Sequence, residues 1–467
     1  MSGMQWNKSS CLLLLLIVLL SAIDSLNADD AKITLKESYT TDQFFDTQAR
    51  IVTSGTVITT KSKDEEKRLP IKASASFHFI DRLLPPAGRD AYAFRAVRHF
   101  SVAQLDTTVE NFTTTSKLAD ESRLIIASGR REGVLNYSPE TQLDSDALDL
   151  VDLPGDPLAA LALFPLEAKE VGASWNPPDW AIQMLAGIEA MEKSLMTCKL
   201  EAANKVSAKV TLTGNVTGNH LGAPVLIDLE GTIIFDLRTN HISRSQVIYK
   251  IKSDVGTIDP GRDLTVTADF ARTVMESQDQ ITPAIIEGIP FDPPEEMLKV
   301  TFSVPDWGLQ LKHHRNWDMI NTVVDSAQPV AILRLNEFGS LIAQCNCMPL
   351  LNSGAGATVP LEQFEDDIKT SLGPRFTEFG KREEIPVDDG RTIFRIEAIG
   401  QTQFGGTDGK FIEIPMIWIY YLVSNPEGRQ ASLVFSLERP LLEQFAESDI
   451  ELVKSLQFTT PLRTTKR

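Results

Sequence analysis

Residues 71–80 alternate without a break. Ile71, Ala73, Ala75, Phe77 and Phe79 take one parity, and Lys72, Ser74, Ser76 and His78 take the other. A strand turns successive side chains to opposite faces, so this period sorts an apolar face from a polar one. One face then needs a core and the other tolerates water, which an antiparallel sheet provides. Similar strand patterns run through residues 52–60, 206–212, 224–237, 241–251 and 263–274. Residues 123–128 meet 133–137 across Gly129-Arg130-Arg131-Glu132-Gly133, and residues 237–240 turn a second hairpin. Gly231, inside a long strand, suggests a bulge.

Helical spacing interrupts these strands. Leu143, Ala147, Leu148 and Val151 share one face of a helix. Residues 157–164 add one or two further turns. Trp180, Met184, Ile188, Met191 and Leu195 are spaced 4, 4, 3 and 4, with Asp179 as the expected N-cap. The region reads as a curved antiparallel sheet with a helical insertion.

Pro283, Pro290, Pro293 and Pro294 crowd the stretch that follows, and that density marks a linker. At roughly 150 residues per domain, 467 residues suggest two or three domains. The expected division is a signal at 1–28, a β-rich domain with helices at 29–280, a linker at 281–297, a second domain at 298–458 and a tail at 459–467. In the second domain Leu361, Phe364, Ile368 and Leu372 line one face of a helix that Gly373-Pro374 ends. Residues 411–423 are apolar on both faces, which predicts a central strand covered on both sides. Ser448 and Glu451 form a capping-box pattern for a last helix burying Ile450, Val453 and Leu456. The fold class is therefore α+β: an N-terminal curved antiparallel sheet with a helical insertion, then a C-terminal α/β/α sandwich on an antiparallel sheet.

The N-terminus reads as a secretory signal. Lys8 precedes the apolar run 11–20, and Leu26-Asn27-Ala28 offers a cleavage site ahead of Asp29-Asp30. An uncleaved anchor is the alternative. The expected location is extracytoplasmic, periplasmic or secreted, with no transmembrane segment in the mature chain. Beyond the signal lie Cys198, Cys345 and Cys347. Three thiols cannot all pair internally, so burial as small side chains and one disulfide both stay open. The formal charge of −18, from 45 Lys+Arg against 63 Asp+Glu, disfavours nucleic acid as a partner.

Two resemblances emerge. The C-terminal half resembles the PsbP-like fold shared with LpqN-type secreted lipoproteins. It does so through Phe302-Ser303-Val304-Pro305-Asp306-Trp307, Trp418-Ile419-Tyr420-Tyr421, Leu433-Val434-Phe435 and Val453-Lys454-Ser455-Leu456-Gln457-Phe458. The N-terminal half resembles an uncharacterised group of secreted bacterial proteins. The shared phrases are Tyr137-Ser138-Pro139-Glu140, Asp146-Ala147-Leu148-Asp149-Leu150 and Val171-Gly172-Ala173-Ser174-Trp175, with a Gly-rich hairpin at 214–222. Its strand–helix–strand order is loosely similar to LolA-type carriers, which cup a lipid on a curved sheet. These resemblances imply binding or assembly rather than catalysis.

Catalytic patterns are mostly missing. The chain has neither Gly-x-Ser-x-Gly nor His-Glu-x-x-His. Gly405 to Lys410 lacks the spacing of a phosphate loop, and Asp408-Gly409 reads as a hairpin turn. Asp144, Asp146, Asp149 and Asp152 read as a solvated acidic helix face rather than a calcium loop. Arg95, Arg98, Arg130 and Arg131 are the densest basic cluster and need no ligand to account for them. His313, His314, Cys345 and Cys347 are the one combination of residue types suited to zinc or copper. Trp175 and Trp180 are candidates for lining a ligand pocket, or for stapling a helix to the sheet. Asn111, Asn136 and Asn215 head glycosylation sequons.

The expectation is a secreted, non-enzymatic binding or assembly factor at the cell envelope, without cofactor, whose partner is an unknown protein or an apolar ligand. The alternatives are an extracytoplasmic carrier of a lipid or apolar ligand, and a hydrolase of unfamiliar motif using dispersed acids such as Asp179 or Glu192.

Overall fold

The structure is a computed structural model that describes residues 32–40, 42–60, 66–256, 260–324, 326, 328–337, 340–405 and 411–460. The signal segment, the Asp408-Gly409 turn and most of the tail lie outside the described residues.

The N-terminal half is built on strands β1 (Phe44–Thr60), β2 (Glu66–Leu83), β3 (Arg95–Val109), β4 (Phe112–Lys117), β5 (Leu124–Arg130) and β6 (Gly133–Tyr137). Helices α1 (Ser145–Val151) and α2 (Pro157–Ala162) follow, then β7 (Ser174–Trp175) and α3 (Asp179–Ala186). Strands β8 (Ala190–Ser194), β9 (Thr197–Ala203), β10 (Ser207–His220), β11 (Ala223–Asp236), β12 (His241–Ser253) and β13 (Gly261–Met275) complete it. All thirteen strands join one open antiparallel sheet in the order β6-β5-β3-β2-β1-β13-β12-β11-β10-β9-β7, with β4 on β3 and β8 on β10.

This order places the helices. The chain leaves the sheet at one edge, β6, and re-enters at the opposite edge, β7. The segment between them must cross a whole face, and α1, α2 and α3 lie in that crossing. Leu150, Val151, Leu158, Ala160, Ile182 and Leu185 pack there against Phe77, Phe79, Ile227, Val247 and Phe270. The alternation read from residues 71–80 holds, with Ala75, Phe77 and Phe79 buried and Ser76 exposed.

Several local expectations are corrected. Helix α3 stops at Ala186, because Gly187 takes φ +64° and closes it with its N–H on the Gln183 carbonyl. Met191 therefore lies on β8, and Leu195 follows that strand. Pro178, not Asp179, is the N-cap, and no side chain caps the helix. Gly231 sits in register between Leu212 and Val247, while the irregularity of the β11–β12 pair falls between Ile234 and Phe235. Its glycine answers close packing: an added Cβ would lie 2.5 Å from the Gln246 carbonyl oxygen.

The proline-rich segment is packed. It holds α4 (Pro283–Glu287), capped by Thr282. Ile281 is buried with Leu84, Val97, Leu124, Ile126 and Tyr137, on the sheet face opposite the helices. Arg95 donates to the Pro290 carbonyl at 2.6 Å. Strand β5 is consequently covered on both faces.

The C-terminal half has β14 (Lys299–Val304), β15 (Leu309–His314), β16 (Trp317–Val323), β17 (Val330–Glu337), β18 (Ser340–Leu350), α5 (Leu361–Leu372), β19 (Phe376–Glu384), β20 (Thr392–Gly405), β21 (Phe411–Ser424) and β22 (Gln430–Glu438). Helices α6 (Leu442–Phe445) and α7 (Ser448–Ser455) and strand β23 (Gln457–Phe458) close it. A seven-stranded antiparallel sheet runs β16-β17-β18-β22-β21-β20-β19, beside a small sheet β14-β15-β23. Helix α5 covers Ile396, Ala398, Trp418 and Tyr420 on one face. Phe445, Leu452 and Val453 of α6 and α7 cover Ile419, Tyr421 and Phe435 on the other. Strand β21 is central, as its two apolar faces require, although its first residues Phe411 and Ile412 are exposed. The capping box of α7 does not form: Glu447 is the N-cap, and within the helix Asp449, Leu452 and Val453 are buried. Asp449 instead accepts from Tyr421 Oη at 2.7 Å and Arg395 Nε at 3.0 Å.

Candidate functional site

A cavity of about 420 Å³ lies between the sheet and the helical crossing. Its floor is β11, β12 and β13, through Val225, Ile227, Tyr249, Ile251 and Val266. Its roof is the crossing segment, through Leu153, Pro154, Ala159, Met184 and Ile188. These positions point inward because each floor strand alternates: β11 buries Val225, Ile227 and Leu229 and exposes Leu226, Asp228 and Glu230. The volume falls within the roughly 300–1,000 Å³ of small-molecule sites, and mostly apolar walls with a few polar groups are their usual lining.

The polar groups differ in how they are satisfied. Tyr249 donates to the Leu185 carbonyl at 3.1 Å, and burial raises its phenol above the ordinary range. Asp156 is fully engaged: it caps α2 through Leu158 N–H at 2.9 Å and accepts two bonds from Arg98 at 2.6 and 2.7 Å. Glu189 accepts from the Leu221 N–H and from Asn336 of β17, and burial raises its carboxyl. Arg130 donates to the Gly129 carbonyl and lies 4.8 Å from the Tyr92 ring centroid. Burial raises the Asp149 carboxyl, with Asp146 adding to it and Arg262 opposing it. Burial, aided by Arg262, pushes the His220 imidazole down to about 4, so it is neutral at physiological pH.

Asp152 stands apart. It is the C-cap of α1 through its backbone, and among the described residues its carboxyl meets no hydrogen-bond donor. The side chain is accessible and lines the cavity, yet protein crowds it enough to push its carboxyl up to about 6. Burial is the main cause, and the negative charges of Asp156 and Asp149 add to it. The expectation of a solvated acidic face holds, since Asp144, Asp146, Asp149 and Asp152 are all exposed. Asp144 is the N-cap of α1, and Asp152 lies at the cavity wall.

The other candidates lie elsewhere. Trp175 donates to the Leu163 carbonyl at 2.9 Å, and Trp180 packs against Phe94 with ring centroids 6.0 Å apart. Both belong to the rim of the N-terminal core and neither lines the cavity. Asp179 and Glu192 are exposed and do not converge. His313 donates from Nδ1 to the His314 carbonyl, while His314 Nδ1 meets Asn316. Cys345 and Cys347 lie in the core of the C-terminal half, where burial raises both thiols, Cys347 to about 12. A thiol so reluctant to ionise is a poor metal ligand. Among the described residues no three His, Cys, Asp or Glu side chains group as metal ligands would. Cys198 is also buried and free, so none of the three cysteines is bridged.

One arrangement escaped sequence reasoning. Asp46 on β1, His78 on β2 and Ser101 on β3 form a hydrogen-bonded row: Asp46 to His78 Nε2 at 2.5 Å, and His78 Nδ1 to Ser101 Oγ at 3.1 Å. The residue types match a hydrolytic triad. Ser101 is exposed on the open face of the sheet, however, and the His78 carbonyl accepts its hydroxyl at 3.0 Å. That acceptor competes with Nδ1 for the proton a nucleophile must lose, and the row orders the strands.

Among the described residues no helix is long and apolar enough to cross a membrane. No family model and no curated protein matches the chain. Among solved structures, lipovitellin, studied for its lipid–protein interactions, is similar over 52% of this chain and 26% of its own, with 8% identity and a TM-score of 0.29. The chain thus spans about a quarter of that structure. OccK11 of Pseudomonas aeruginosa is matched over 87% of this chain and 98% of its own, with 9% identity and a TM-score of 0.13. OccK5 of the same organism covers 86% and 99%, with 8% identity and a TM-score of 0.12. Likeness at this level fixes neither the fold nor the ligand of the chain.

Proposed function

We propose that the protein is a secreted, non-catalytic binding protein whose N-terminal half carries an apolar ligand. The cavity under the helical crossing is the observation that carries this reading. It is walled by aliphatic side chains from three strands and the insertion, and it is large enough for a small ligand. The lipid-cupping habit implied by the loose similarity to LolA-type carriers agrees with it. The secreted setting rests on the apolar run at 11–20. The reading as a protein-assembly factor at the envelope ranks second, through the PsbP-like resemblance of the C-terminal half.

Nile red titration tests the carrier reading. Saturable uptake by the wild type is expected, with affinity falling about tenfold or more in Ile227→Trp, whose ring fills the floor. Circular dichroism of the variant separates filling from unfolding. A wild type that takes up neither Nile red nor any long-chain amphiphile sinks the reading.

A further inference from the structure

Resting on that carrier reading, the way polarity is distributed through the cavity specifies the shape of its ligand. The charged lining stands at the mouth: Glu132 and Asp152 are exposed, and Arg130, Glu189 and Arg262 are half-buried. The depth is buried and apolar, through Leu153, Ala159, Leu185, Ile227 and Val266. Asp156 and Tyr249 reach that depth, and both are engaged within the protein. Asp156 is held by Arg98 and by the Leu158 N–H, and Tyr249 donates to the Leu185 carbonyl. A polar head carried inward would give up water without compensation, a cost that a bare chain does not incur.

The mouth favours neither sign of head group. Two guanidinium groups and three carboxyls share it, and water screens charges that stand partly in it. His220 is half-buried in the same wall and its Nδ1 meets no partner among the described residues. A neutral imidazole nitrogen donates or accepts according to tautomer, so it ranks no head above another. The depth, by contrast, has a definite end. Along the crossing the lining runs from Asp152 to Asp156 and then to Ala159, and no later residue of α2 joins it. Ala159 is 2% exposed, and its small side chain leaves the space that a larger one would fill. The volume, near the lower end for small-molecule sites, suits one chain rather than two. We propose that the cavity takes single-chain amphiphiles tail first, the head staying at the mouth whatever its charge, and that Ala159 sets the length of chain accepted.

Displacement of Nile red from the full protein at neutral pH tests this. Dodecylamine, dodecanol and dodecanoate are expected to compete within about threefold of one another. From octanol to tetradecanol, competition is expected to strengthen about fourfold per methylene until the cavity is full, and then to level. In Ala159→Leu it is expected to level at a shorter chain with octanol unchanged, which shows that the mouth and fold are intact. Ala159→Val, with less added bulk, is expected to shift the level by less and guards against a leucine variant that does not fold. A preference of tenfold or more for one of the three heads overturns the assignment. So does an alcohol series that is the same in wild type and both variants, or stronger competition by didecanoyl phosphatidylcholine than by decanol. Each of these leaves the carrier reading standing, whereas a wild type that takes up no Nile red and binds none of the competitors removes both.

Discussion

At the scale of single residues, charge decides more than shape in the N-terminal core. Arg98 is fully buried between Phe79, Asp156 and Asp81; the Asp81 carboxylate lies 3.5 Å from Arg98 Nε, an ion-pair distance without hydrogen-bond geometry. Burial works against its charge, and pairing with Asp156 and Asp81 outweighs that, leaving the guanidinium firmly protonated. Asp81 in turn meets Arg272, which grips Glu37 at 2.8 and 2.9 Å. None of this was legible in the sequence. Arg98 and Asp156 are 58 positions apart, and Arg272 and Glu37 are 235 apart, so no local pattern pairs them. Asp152 was visible as one acid among four, but its place beside the cavity depends on strands β12 and β13 far along the chain.

Asp152 also gives the protein a pH signature. Its folded value, about 6, exceeds the ordinary 3.8. A raised carboxyl contributes stability below the unfolded value, and that contribution is lost as pH rises through the folded one. Asp152→Asn lacks this titration. Relative to wild type it is expected to be more stable above about 6, with the advantage vanishing below 3.8. Urea midpoints across that range check it, and a difference independent of pH would contradict the raised carboxyl.

At the scale of elements, period-two strands were the most legible feature and helix ends the least. Spacing from Trp180 to Leu195 looks helical throughout, yet Ile188 is apolar because it lines the cavity roof, and Met191 because it packs on the core from strand β8. Gly187 carried the true stop, and a single glycine is weak punctuation in a sequence. The two glycines Gly187 and Gly231 make separable tests. Gly187 has open space but φ +64°, so Gly187→Ala costs about 1 kcal/mol of backbone strain. Gly231 has ordinary φ but no room, so Gly231→Val costs about 1–3 kcal/mol from overpacking against Gln246 and Val247. Chemical denaturation of the two variants measures both, and Gly187→Asn is expected to recover part of the first loss because Asn tolerates that conformation.

At the scale of the whole molecule, the two halves are tied by more than chain connectivity. Ile281 is buried in the N-terminal half, Arg315 donates to the Asn136 carbonyl at 2.5 Å and to the Met297 carbonyl at 3.0 Å, and Asn336 reaches Glu189. The proline-dense segment lies between β13, the last strand of one sheet, and β14, the first of another. Proline density could not show that the segment is docked, because the apolar residues that hold it, Ile281, Ile285, Ile286 and Ile289, find their partners on strands β2, β3, β5 and β6. Limited proteolysis follows from this. The wild type is expected to resist cleavage within 281–297, and Ile281→Asp, which places a charge in that apolar cluster, to expose it. Equal cleavage rates would show that the docking does not protect the segment.

The helical crossing has one more consequence. It is fastened to the sheet at both rims, to β6 on one side and β7 on the other. A flap held by one edge can swing; a strap buckled at both ends cannot. Anything entering or leaving beneath it must wait for the strap to slacken along its length or for the sheet to flatten under it. Shortening the strap would tighten the cargo hold, and lengthening it would loosen the hold, without touching a residue that meets the cargo.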